Sequence, residues 1–463
     1  MGCVGWRQDE WSPRRPLLAL AALLLGLAAC GKSAGPAADA GAPIDGGAPG
    51  GALDAGGQVD AGQGAAADGG VASCGSGVLS ADEQLLVNLP ADSWYDVKGS
   101  SFLGSGVCLE GQPWSATDGC AAVIIAWSGG AYDPVHDKML IWGGGHADYW
   151  GNEVYSFDPA TFLWKRETTP SDVTTSSDVC KDPYFDGKPA SRHTYDGLAY
   201  LTHANRFWSW GGGIAGTGNC PGVPTLTWTL DLDTQSWTNM LPAGSFDSGA
   251  SGFMYSAASA YDPATGKVFM QDSGGLSVYD YDANSWAIVQ DFGSPPEWPR
   301  YEEGGDKTAA VDTQRHLFFT FGQGDYFVFD IGANRIVTDD WITTGGGAFD
   351  NSGQAAGSST LGQLYPNEVI QTGGGDVIGA DAPGVDYDPR ADALVAWKGG
   401  APYVLDLSKK VWTTKSAVGA LATPSQNGVY GRFRYIPKYN VFILVNGPND
   451  DVTFYKHTAG CGP

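Results

Sequence analysis

The segment from Tyr132 to Trp164 sets a pattern that the following chain repeats. A Tyr-Asp-Pro turn leads into an apolar run, Met139 to Trp142, which Gly143, Gly144 and Gly145 break. A second alternating run, Val154 to Phe157, ends at Asp158, and Trp164 closes the unit. Two spacings then recur. A Tyr or its equivalent is followed ten positions on by an aromatic or apolar residue at Tyr132/Trp142, Tyr200/Trp210, Val311/Phe321, Tyr387/Trp397 and Tyr435/Val445; Tyr261/Gln271 keeps the spacing without the apolar residue. An Asp is followed six positions on by a large apolar residue at Asp158/Trp164, Asp231/Trp237, Asp280/Trp286, Asp330/Ile336 and Asp406/Trp412. Short alternating runs bounded by Gly, Pro and Asp are strand and turn signals, and fixed offsets recurring at this interval mark a repeat architecture.

Four strands per unit, glycines between the second and third, and a Trp in the fourth resemble kelch blades. The chain is therefore similar to the kelch/galactose-oxidase type of β-propeller from about Leu89 onward. The resemblance implies an all-β, six-bladed kelch-like β-propeller closed by an N-terminal strand. It leaves function open, because propellers host many activities. The blades are expected at Ala121–Thr168, Arg192–Met240, Met254–Asp291, Tyr301–Asp339 and Pro383–Lys415, with a last repeat at Val429–His457. That repeat has three strands and no Trp strand; Ser93 to Val97 is expected to supply the fourth. The Gly/Ser-rich stretch Ser352 to Ala380 reads as an inserted loop. The recurring Trp164, Trp237, Trp286 and Trp412 are expected to pack blades together.

The start of the chain has another character. Arg7, Arg14 and Arg15 precede an apolar run, Leu17 to Leu27, too short for a transmembrane helix. Leu27-Ala28-Ala29-Cys30 resembles a bacterial lipobox, which implies cleavage before Cys30 and its lipidation. Gly31 to Ser73 is almost wholly Ala, Gly, Asp and Pro, and such a segment cannot bury a core. The expected organisation is a signal peptide over 1–29, a disordered spacer over 30–73 and a propeller over 74–463. This is the layout of an exported bacterial lipoprotein tethered at the outer membrane or cell surface.

Six cysteines follow Cys30: Cys74, Cys108, Cys120, Cys180, Cys220 and Cys461. An even number in an exported chain implies disulfides. The expected pairs are Cys108–Cys120, Cys180–Cys220 and Cys74–Cys461, though sequence leaves the connectivity open. The formal net charge of −25 gives the chain no overall positive field, so nucleic acid is not an expected partner. The chain is expected to be a monomer.

In a propeller the loop between strands two and three opens on the same face as the connection from one blade to the next. This chain places its unusual polar residues there. The blade-one loop carries His146, Asp148, Tyr149 and Asn152; the lead-in to blade two carries Arg192, His193, Tyr195 and Asp196. Tyr255 precedes blade three, and Arg300, Tyr301, Glu302, Glu303 and Lys307 lead into blade four. Tyr430, Arg432 and Arg434 precede or open blade six; Arg432 and Arg434 alternate, so one is expected to face the channel. These residues are expected around one mouth, where His, Tyr and Arg suit an anionic or polyhydroxylated ligand.

The leading expectation is ligand recognition at that mouth, by a glycan or else a protein. The enzymatic alternative is a polysaccharide lyase acting on uronic-acid polymers by β-elimination. His193 or His146 would be the base, Tyr195 or Tyr255 the acid, and Arg300 or Arg432 the carboxylate clamp. A protein-interaction scaffold is the third expectation. A glycosidase would need a carboxylate pair, and the family's copper oxidases need a Tyr/His/Cys set absent here. No cofactor is implied; Asp148, Asp196 and Glu302 leave a divalent cation in the channel open. His136, His203, His316 and His457 read as ordinary turn residues.

Overall fold

A computed structural model describes residues 79–109, 118–145, 148–173, 181–214, 226–244, 257–272, 275–291, 306–323, 325–341, 343–344, 368–369 and 374–461. Six four-stranded antiparallel sheets dominate it. Their inner strands are Gly130–Asp133, Leu198–Leu201, Ala258–Asp262, Thr308–Asp312, Gly384–Asp388 and Phe433–Ile436. Each inner strand packs against the next, and Phe433–Ile436 packs back on Gly130–Asp133, so the six sheets form a ring. The fold is the expected six-bladed β-propeller. In the sixth blade the strand order runs Phe433–Ile436, Val441–Leu444, Thr453–Lys456, then Ser93–Asp96, with Ser93 opposite Lys456 and Asp96 opposite Thr453. Residues 343–344 and 368–369 pair as a separate two-stranded ribbon.

The spacings of the sequence have local causes. The inner-strand tyrosines reach the turn that ends their own hairpin. Tyr132 donates to Asp137 Oδ1 at 2.6 Å, Tyr387 to Asp392 Oδ1 at 2.9 Å and Tyr435 to Asn440 Oδ1 at 2.9 Å, with Tyr200 bonded likewise to Asn205. Each acceptor has a positive φ, between 51° and 55°, a conformation that Asn and Asp tolerate best after glycine. In blade three that position is Gly266, and the Tyr261 hydroxyl turns instead to Thr202 and His203 of blade two.

The recurring aspartates close Asx turns. Asp133, fully buried, accepts from the N–H groups of Val135 and His136, and Asp388 does the same for Arg390 and Ala391. In the outer turns Asp158, Asp231, Asp280, Asp330 and Asp406 take the same role. The outer-strand tryptophans reach back to the preceding blade. Trp237 lies 5.0 Å from Trp142, Trp286 5.9 Å from Trp210, and Trp412 5.7 Å from Phe321, between ring centroids. Blade four has Ile336 there, on an outer strand of only two residues, Arg335–Ile336.

Two of the turn histidines do more than expected of them. His136 bridges Asp133 at 2.6 Å and Asp233 at 3.1 Å, and these bonds hold its pKa above the usual value against partial burial. His457 is buried and bonds Asp388 at 2.8 Å, joining blade six to blade five. Cys108 and Cys120 form the expected disulfide. Cys461 is disulfide-bonded as well; Cys30, Cys74, Cys180 and Cys220 lie outside the described residues. Among the described residues no helix is long and apolar enough to cross a membrane.

Candidate functional site

The upper mouth forms where the blade-one loop meets the lead-in to blade two. Glycine makes that approach possible: a Cβ on Gly145 would lie 2.0 Å from Arg192 Cα, and one on Gly129 2.2 Å from the Tyr195 carbonyl oxygen. The resulting contact joins Asp148 to His193, whose Nε2 lies 2.7 Å from Asp148 Oδ2. The Trp127 ring stacks on the imidazole at 4.9 Å, and Tyr195 meets it edge-on at 6.1 Å. Tyr195 also meets Tyr430 edge-on at 5.9 Å, and the Tyr430 hydroxyl bonds Asp306. Burial, aided by Asp381, pushes the Asp306 carboxyl up to about 6 although Tyr430 donates to it.

Three of these aromatics share an unusual backbone. Trp127, Tyr195 and Tyr430 have φ of 46°, 48° and 50°. Such values are rare for bulky residues and are kept where surrounding structure enforces them. All three stand three residues before their inner strands begin, so the ring places equivalent positions of blades one, two and six side by side. Trp127, Tyr195 and Asp148 remain partly exposed, whereas His193 and Tyr430 are buried.

Several residues expected to line the mouth are parts of its wall. Arg432 is fully buried, and its guanidinium donates to the carbonyl oxygens of Ser128 at 2.8 Å, Val445 at 2.6 Å and Gly428 at 2.6 Å, and to Asn446. Burial lowers its pKa to about 9. It satisfies carbonyls of two lead-ins, at Ser128 and Gly428, and of the loop that follows Val441–Leu444, at Val445 and Asn446. Arg192 is buried against Asp182 at 2.7 Å, with further bonds to Gly211 and Ala190. Asn152 bonds Ser171 and the Pro189 carbonyl inside the loop, Tyr149 bonds the buried Glu153, and Lys307 is buried at the start of blade four. His146, Tyr255, Arg300, Tyr301, Glu302 and Glu303 lie outside the described residues.

Asp196 crosses the axis. Its backbone oxygen accepts from Ser259 of blade three; its carboxylate accepts from the Ala309 N–H of blade four at 2.7 Å and pairs with Arg434 of blade six at 3.2 Å. Burial raises its pKa to about 7, against the pull of Arg434. Below this septum lies a cavity of about 290 Å³, open toward the turns that end the inner strands. The inner-strand tyrosines of five blades and the prolines two residues beyond four of them line it, and Asp386 and Arg434 stand at its closed end. Of the alternating pair, Arg434 therefore faces the channel and Arg432 does not. Among the described residues no three His, Cys, Asp or Glu side chains converge to hold a metal ion.

Sequence reasoning passed over Trp127, Asp306 and Asp386. Trp127 was within reach, because it stands before Gly130 as Tyr195 stands before Leu198. Asp306 and Asp386 carry no distinguishing pattern.

No family model matches the chain. No curated protein matches it either. Many solved structures are distantly similar to the chain, among them two bacterial proteins. One is a structural-genomics protein of unknown function from Bacteroides thetaiotaomicron, at 11% identity over 72% of this chain and 70% of that chain, with a TM-score of 0.43. The other is an auxiliary nutrient binding protein from the same organism, at 9% identity over 70% and 68%, with a TM-score of 0.40.

Proposed function

We propose that this chain is an exported, lipid-anchored propeller that recognises a glycan at its upper mouth. The reading rests on one observation above all: a carboxylate-held imidazole, Asp148 with His193, flanked by the rings of Trp127 and Tyr195. Aromatic faces cover the C–H faces of a sugar ring, while an oriented imidazole and a partly exposed carboxylate exchange hydrogen bonds with its hydroxyls. Anchoring follows from the lipobox-like Leu27-Ala28-Ala29-Cys30 and the Ala/Gly/Asp spacer. The test is an oligosaccharide array probed with the purified protein and with Trp127→Ala. Binding of a defined glycan class that falls at least about tenfold in the variant supports the reading; a protein that binds nothing on the array overturns it. Cys30→Ala should release the protein from the membrane fraction.

The oriented imidazole also favours a second reading, β-elimination on a uronic-acid polymer. His193 would take the proton on the carbon beside the carboxylate, the bond to the leaving oxygen would break, and Tyr195 would protonate that oxygen. The enolate would need a cation; of the two candidate clamps Arg432 is fully enclosed by carbonyl groups, and Arg300 lies outside the described residues. Recognition is the preferred reading because it needs only the Asp148–His193 pair and its flanking rings. Incubation with uronate polymers separates the two: growth of ultraviolet absorbance from a new carbon–carbon double bond marks the lyase.

A further inference from the structure

The lower cavity is unlike the upper mouth in how its polarity is arranged. The hydroxyls of its tyrosines are committed elsewhere: Tyr132, Tyr387 and Tyr435 donate to turn residues, and Tyr261 bonds Thr202 and His203. The wall therefore offers mainly rings, prolines and small aliphatic residues; of its hydroxyl residues Thr202, Ser259 and Thr313, Thr202 donates to Tyr261 and Ser259 to the Asp196 carbonyl. Charge is confined to the closed end, where Arg434 and Asp386 both line the space.

Arg434 gives one long bond to the Val385 carbonyl, 3.3 Å, and one to Asp196, 3.2 Å. A guanidinium has five N–H donors, so most of its capacity is left. Asp386 accepts from the backbone N–H groups of Tyr387 and Tyr435, one at each oxygen, and each oxygen keeps a second lone-pair site. Asp386 and Arg434 feel each other's charge yet form no direct ion pair. A cation donor and an anion acceptor thus stand apart at the closed end of an apolar tube.

We propose that this cavity is a second binding site, taking an α-amino acid with an apolar side chain. The α-carboxylate meets Arg434, the α-ammonium meets Asp386, and the side chain lies among the tyrosine rings and prolines. A sugar is a poor fit, because it is polar all round and the wall is not. A simple carboxylic acid brings unbalanced negative charge to an end that already holds Asp196 and Asp386; a zwitterion leaves the charge of that end unchanged. Size agrees as well, since about 290 Å³ approaches the lower limit of small-molecule pockets, roughly 300 Å³.

The test is calorimetric titration of the full-length protein with L-phenylalanine, phenylacetate, phenethylamine and glucose. Saturable binding of L-phenylalanine is expected, weaker by at least about tenfold for either compound lacking one charge. Asp386→Asn, which also turns an NH2 group toward one of the two backbone N–H donors, should weaken L-phenylalanine by at least a similar factor. No binding to the wild-type protein, equal binding of the three aromatic compounds, or full binding by Asp386→Asn would each overturn the proposal. The ligand series on the wild-type protein decides the matter even if the variant fails to fold.

Discussion

The two ends of the central axis are built on opposite plans. The lower end is made by the repeat itself, with a tyrosine and a following proline at equivalent places around most of the ring. The upper end is made by residues that differ from blade to blade, Trp127, Asp148, His193, Tyr195, Tyr430 and Asp306. Repetition gives the lower cavity a uniform wall and leaves its chemistry to one pair of charges. Variation gives the upper mouth an imidazole, carboxylates and aromatic rings in one small space. A regular wall is thus no sign of an inert one, and a polar residue at a blade junction is no sign of a ligand contact.

Arg432, in the turn just before the inner strand Phe433–Ile436, and Arg434, within that strand, carry that contrast two residues apart, and substituting Arg432 tests the wall. Arg432→Met removes the donor for four carbonyl oxygens. Its loss is expected to cost on the order of 3–5 kcal/mol, read as a fall in the urea midpoint. A change within about 0.5 kcal/mol would mean that the wall does not depend on it.

The septum gives the next effect. Asp196 has a folded pKa of about 7, above its unfolded value, so its contribution is full below about pH 4 and is lost as pH rises through 7. Urea unfolding of the wild-type protein should therefore show stability falling between pH 4 and 7, by at most about 1.4 kcal/mol per pH unit from this group. Asp196→Asn should flatten that fall; Asp306 and Asp386, whose pKa values are also raised by burial, keep it from vanishing. An identical pH profile in the variant would remove Asp196 as its source.

At the upper mouth, His193→Ala is expected to lower glycan affinity by about 10- to 100-fold, or about 1.4–2.8 kcal/mol, without changing binding of L-phenylalanine below. Loss of both together would mean that the two ends are one site. The smallest effect belongs to the repeat: Tyr387→Phe loses one bond to Asp392 and should cost about 1 kcal/mol, read as a fall in the urea midpoint.

The ring, its six blades and the role of its tryptophans were legible because turns and packing repeat at fixed offsets. Asp133 and its counterparts close turns through bonds to residues two or three along the chain, so sequence carries the whole interaction. The upper pair was legible in part, since blade topology placed the Asp148 loop beside His193. What sequence could not carry was direction. Arg192, Asn152 and Arg432 are polar residues at the right loops, yet they turn inward to satisfy carbonyls and a buried Asp182. Asp386 and Arg434 stand on the neighbouring inner strands of blades five and six, brought together from separate stretches of chain, and no local spacing records that.

The division of the axis can be tested most directly through its histidines. The chain has six, few enough for separate signals from imidazoles labelled with carbon-13. Titrating first with an array-selected oligosaccharide and then with L-phenylalanine should shift the His193 signal in the first step and leave it still in the second. A His193 signal that ignores the oligosaccharide, or that moves with the amino acid, would contradict two separate sites divided by Asp196.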